Sequence, residues 1–207
     1  FSACTNRAGQ HQVSAIETSG DIVFQTLIPE RAHDMCYVAK RKQAIFFSRR
    51  PGKCLYIVSL DDGRIEQTVQ SPAGRHYYGH GVLSADQQLL YTSENNFQTG
   101  TGVIGVYSTD TFTRVGEFSS GGIGPHQLEL MPSGKTLVVA NGGIQTHPKR
   151  PREKLNIETM RSSLTYIDLQ NSSVIDSFSS ENHQMSIRHL SIANNDTVVA
   201  AVQYQGD

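Results

Sequence analysis

The chain has no tryptophan, only three cysteines and almost no net charge, with 18 Lys and Arg against 19 Asp and Glu in 207 residues. Each shortage excludes something. Without a basic excess there is no global field to hold nucleic acid or an anionic membrane, so any charged site has to be local. No apolar run approaches the roughly 18 residues that a membrane helix needs. Cys4, Cys36 and Cys54 form no CxxC pair, and an odd count argues against a disulfide framework. Cys4 reads as a strand residue, because the tetrapeptide ending in it lacks the apolar stretch that precedes a lipidated cysteine. Cys36 and Cys54 should stay unbonded, on the first and third strands of one unit. The signatures GxSxG and HExxH are missing, and no cysteine lies in a reactive-looking motif, which counts against an enzyme without excluding one. The sequence starts at Phe1 with neither a basic nor an apolar leader, so any targeting segment is expected to lie outside it.

What is present is a repeat. At a shift near 46 residues, four segments align as strand, polar turn and second strand, opening at His33, His80, His126 and His189. The second strands fall at 44–47, 89–92, 136–140 and 197–202. Complete repeats add a third strand at 54–60, 103–107 and 164–169, then a fourth at 64–69, 113–118 and 174–178. Four short antiparallel strands per unit define a propeller blade. The expected fold is therefore an all-β propeller forming a single domain over 1–207. Its blades would span about 1–32, 33–79, 80–125 and 126–188, with a partial blade at 189–207. A β-sandwich also spaces short strands evenly, but gives no reason for a histidine in register every 46 or 47 residues. About four blades is the low end for closing a ring, so the reading expects part of a larger one. Strands should alternate at period two, and helical turns should be confined to the inserted stretch around 151–160.

Several motifs are long and specific: Gly79-His80-Gly81-Val82-Leu83-Ser84, Ser120-Gly121-Gly122-Ile123-Gly124-Pro125-His126, Asn141-Gly142-Gly143-Ile144 and Ser186-Ile187-Arg188-His189-Leu190. With them the chain resembles a bacterial family of domains of unknown function, the one numbered 1513, over essentially its whole length. The resemblance implies an exported, seven-bladed propeller in the periplasm, linked to iron acquisition through neighbouring genes. It implies no activity.

In a blade, residues opening the first strand lie near the loop leaving the second, so one face should collect both sets. On that face the reading places His33, His80, His126 and His189, then Arg49, Arg50, Glu94, Asn95, Asn96, Asn141, Gly142, Gly143, Gln203 and Tyr204. The insertion of about 16 residues over 145–161 would overhang it with His147, Arg150, Arg152 and Lys154. Neutral imidazoles meeting at one point suit copper, iron or zinc, with His126 the first candidate ligand. The alternative is a staple, each ring hydrogen-bonded to a neighbouring loop, and most of the four are expected to be staples. Residues 100–105 spell GxGxxG but run into a strand, not the helix that dinucleotide binding requires. The glycines of 121–124 read as a tight loop, and the basic run 149–154 as a solvated one. Three functions stay open. They are a periplasmic ligand- or metal-binding protein, an enzyme on the same face, and a platform for a periplasmic protein partner.

Overall fold

The computed structural model describes residues 1–150 and 153–206, built almost wholly of strands. The first sheet holds β1 (Ser2–Thr5), β2 (His11–Ile16) and β3 (Ile22–Ile28). The second holds β4 (Ala32–Val38), β5 (Gln43–Ser48), β6 (Cys54–Ser59) and β7 (Ile65–Gln70). The third comprises β8 (Arg75–Leu83), β9 (Leu89–Asn96), β10 (Thr101–Ser108) and β11 (Arg114–Ser119). The fourth comprises β12 (Pro125–Leu130), β13 (Thr136–Asn141), β14 (Ser163–Asp168) and β15 (Ser173–Ser179). A fifth pairs β16 (Met185–Ile192) with β17 (Val198–Tyr204). Every sheet is an antiparallel meander in which sequence neighbours are spatial neighbours. Five separate sheets exclude the two-sheet sandwich.

Turn chemistry sets the strand ends. Between β12 and β13, Gly134 takes a φ of 71° and donates its N–H to the Met131 carbonyl at 2.8 Å, a conformation glycine adopts without strain. Between β4 and β5 the chain makes a 3-10 turn at Ala39–Arg41, ended by Lys42 with a φ of 51°. That turn corrects the expectation that helical turns stay in the insertion, which holds the other one at Ile157–Thr159. Both are single turns.

The core lies between sheets. Along β5, Ala44 and Phe46 face the first sheet, packing with Val13, Phe24 and Ile28, whereas Ile45 and Phe47 face the third, packing with Tyr77, Leu90 and Tyr107. Tyr91 and Ile104 then meet Leu128, Leu137 and Val139, and Val138 and Ala140 meet Ile187 and Leu190. Middle strands are thus buried on both faces and read as continuous apolar runs. This corrects the period-two expectation, since alternation marks a strand with one face in water. The first strands of successive sheets touch: β1 with β4, β4 with β8, β8 with β12, and β12 with β16. Cys4 lies on β1, and Cys36 and Cys54 are free thiols on β4 and β6. No helix among the described residues is long and apolar enough to cross a membrane.

Candidate functional site

Four of these first strands, β4, β8, β12 and β16, carry a bulge, and the repeated histidine sits in or beside it. Pairing slips between Ala32 and Asp34, between Tyr77 and Gly81, between Pro125 and Leu128, and between Ile187 and His189. A bulge turns a side chain out of the pleat and re-aims it. Here four bulges on adjoining strands aim four imidazoles at one place. Ring centroids are 4.7 Å apart for His33 and His80, 4.7 Å for His80 and His126, and 4.9 Å for His126 and His189. One nitrogen from each of His33, His80 and His126 lies within 4.8 Å of the others. The histidines do not all open their strands, however. β8 starts at Arg75, five residues ahead of His80, and β16 starts four ahead of His189.

The hydrogen bonds follow the repeat. His80 Nδ1–H donates to the Asp34 carboxylate at 2.8 Å, and His189 Nδ1–H donates to Gln127 Oε1 at 2.9 Å, Gln127 being held in turn by Glu129. Asp34 and Gln127 each follow the histidine of the preceding sheet. The equivalent partner for His126 would be residue 81, a glycine, and His126 Nδ1 is buried with no partner among the described residues. Residue 81 has no room to be anything else, since a Cβ there would lie 2.4 Å from the Phe47 ring. His80 Nε2 is likewise buried and, among the described residues, unpaired. Stapling and ligation therefore describe two halves of the same ring. Fixing Nδ1–H on a carboxylate or amide oxygen leaves Nε2 as a lone-pair donor, the arrangement common behind metal-bound histidine.

The surroundings disfavour the charged form of His33, His126 and His189. Burial lowers His33 to about 4, helped by repulsion from His80 and Arg49. Burial pushes His126 further down, with repulsion from His80 and Arg188 adding to it, and lowers His189 as well. A tetrahedral metal with bonds of 2.0–2.1 Å needs nitrogens about 3.3 Å apart, so small ring rotations would close the group. His76, by contrast, uses both nitrogens, with Nδ1–H on the Tyr77 carbonyl at 3.0 Å and Nε2 accepting from Asn95 at 3.0 Å.

Beside the cluster opens a cavity of about 390 Å³, lined by His33, His126, His189, Arg49, Arg50, Tyr78, Arg188 and the 201–203 segment of β17. Of the expected face residues, Arg49, Arg50 and Gln203 reach it, and Glu94, Asn95, Asn96, Asn141 and Tyr204 do not. Glu94 is fully buried and bonded to Arg114 at 2.7 Å. Asn95 binds His76 and the Thr146 carbonyl, and Asn96 caps its own turn by accepting from the Gln98 N–H. Asn141 ties Ser120, Ser163 and Thr165 together. Tyr204 is exposed, its hydroxyl on Gln184. In the insertion, His147 packs on Phe97 at 5.4 Å and Arg150 pairs with Glu153, both away from the cavity. Lys154 is exposed there, and Arg152 lies outside the described residues. The root of the insertion touches the site indirectly, through Thr146 and the Ile144 carbonyl on the Tyr78 hydroxyl.

Asp34, Tyr78 and Arg188 are site residues that the repeat alone did not single out. Their signal is adjacency, because each sits within two residues of a repeated histidine, on its bulge. Residues 100–105 form a turn and the start of β10 with no helix following, so the glycine pattern there serves packing. A Cβ on Gly105 would lie against Glu94 Oε1.

An all-β chain of consecutive meanders, carrying a histidine cluster on the adjoining first strands of four sheets, is the class that these features define. The chain belongs to the DUF1513 family, described as proteins of unknown function, whose pattern it matches over residues 26–207. No curated protein matches it.

Proposed function

We propose that the chain is an arc of a β-propeller that binds one transition-metal ion through the histidines on its innermost strands. Support for the propeller comes from the stacking of five meander sheets, each pressed on the next, with the first strands side by side. Ile22, Val23 and Leu27 on the first sheet are exposed, as are Ile175 and Phe178 on the fourth and Val199 on the fifth. Apolar faces of this kind are normally covered, and the further blades of a seven-bladed ring, which the family likeness implies, would cover them.

The metal reading rests on one observation. Two buried imidazole nitrogens, His80 Nε2 and His126 Nδ1, have no partner among the described residues, in a group whose donor atoms lie within 4.8 Å of one another. Leaving such an atom unpaired costs about 1–3 kcal/mol, which a bound ion would remove. A donor set of imidazoles alone suits Cu(II), Zn(II) or Fe(II) and disfavours Mg²⁺ and Ca²⁺. Periplasmic residence and service to iron acquisition are part of this proposal through the family likeness. A pure protein-interaction platform would give the two unpaired nitrogens no task.

The test is titration of chelator-treated protein with Cu(II), Zn(II) and Fe(II), followed by elemental analysis after desalting. One ion per chain is expected, with affinity falling at least 100-fold in His80→Ala and His126→Ala. Retention of no ion by the unaltered chain overturns the reading.

A further inference from the structure

The cavity beside the histidines carries three guanidinium groups and, among the described residues, no carboxylate. Arg49, Arg50 and Arg188 all line it, and among the described residues none of their side chains makes an ion pair or a hydrogen bond. Arg188 Nε is buried without a partner among the described residues. Arg50 and Arg188 repel each other, and burial with that repulsion lowers Arg188 to about 10. Asp34 is bonded to His80 and Glu129 to Gln127, so neither pairs with the arginines. A protein that gathers unpaired cations in a partly buried space pays for it in stability, unless a ligand of opposite charge completes the site.

We infer that the cavity binds a small oxyanion of at least two negative charges, carboxylate or phosphate in type, held by Arg50 and Arg188 with one oxygen facing the histidines. Guanidinium forks match both kinds of group bidentately. A volume of about 390 Å³ falls in the range of small-ligand sites. Tyr78, locked by its bond to Thr146 at 3.0 Å, supplies a rigid wall beside the two arginines. The inference rests on the metal proposal in one respect only. An anion there offsets the repulsion between an incoming metal cation and the guanidinium groups, so the two ligands bind with positive coupling, each tightening the other by the same factor.

The test is calorimetric titration of metal-free protein, in chloride-free buffer of low ionic strength, with inorganic phosphate and separately with malonate. The inference expects one anion per chain, and whichever probe binds tighter identifies the group. Arg188→Gln and Arg50→Gln should each weaken binding at least tenfold, with a ligand-free melting temperature no lower than that of the unaltered chain. Lys135→Gln, which removes the same charge from an exposed turn, should bind within twofold of the unaltered chain. Binding of neither probe, or equal binding by Arg188→Gln and the unaltered chain, overturns the inference. These results are independent of whether metal binds. If metal does bind, a metal affinity that the anion fails to raise removes the coupling and leaves the anion site standing.

Discussion

Replacing Arg114 by methionine should destabilise the protein by about 3–5 kcal/mol, although the residue is remote from the cavity. Glu94 is fully buried, and Arg114 Nη1 reaches its two carboxylate oxygens at 2.7 and 3.0 Å and the Tyr107 hydroxyl at 2.8 Å. Arg114 also bonds Glu117 at 2.7 Å, and Glu117 in turn accepts from Arg75 at 2.8 Å. Methionine removes the guanidinium and leaves a carboxylate in the core. Its remaining partners are the hydroxyls of Thr92, at 2.8 Å, and Tyr107, at 3.1 Å. Those two bonds soften the loss, which places the cost near the lower end, at about 3 kcal/mol. For a domain of this size that corresponds to a drop in melting temperature of roughly 6–12 °C. Urea unfolding of the single variants and of Glu94→Gln with Arg114→Met closes a double-mutant cycle. The double variant should be more stable than Arg114→Met alone, because its neutral amide no longer leaves a charge buried. A loss under about 0.5 kcal/mol in Arg114→Met, or no coupling in the cycle, would refute the structural role assigned to Glu94.

Three further outcomes follow from the same geometry. Gly81→Ala should cost about 1–3 kcal/mol by overpacking, since the new methyl meets the Phe47 ring, and urea unfolding measures it. His76 is wholly buried, and burial lowers it to about 4. Its stabilisation is therefore full above the unfolded-state value near 6.5 and is lost as pH falls towards 4. Unfolding followed from pH 7 to pH 4 should show a loss of about 3 kcal/mol from this residue, and His76→Asn should flatten that part of the profile. Asp34→Asn should weaken metal affinity about 10–100-fold without abolishing it, read by competition with a chelator, because it loosens the support of His80 and leaves the ring in place.

Much of the fold was legible because the repeat writes the same strand and turn chemistry in each unit, so strand positions agreed to within a few residues for most elements. β8 and β16 were exceptions, and the longer start of β8 bears on the site. β8 starts at Arg75, and Arg75 pairs with Asn96, so residues 94–96 stand beyond the level of His80 and not beside it. That extension is why Glu94, Asn95 and Asn96 miss the cavity, whereas Arg49 and Arg50, leaving β5 where β4 begins, reach it. Bulges were not legible either. A slip of one or two residues in pairing leaves no mark on composition or periodicity, yet it re-aims the segments that carry Arg188 and Tyr78. Glycine at 81 shows the opposite case, a residue whose packing constraint deprives His126 of the partner that His80 and His189 have.

The most direct measurement of the central claim is X-ray absorption at the metal edge on zinc-loaded protein. The account predicts three or four nitrogen scatterers at 2.0–2.1 Å with the outer-shell pattern of imidazole, and loss of that pattern in the His80→Ala, His126→Ala double variant. A first shell of oxygen alone, or an unaltered spectrum in the double variant, would contradict it.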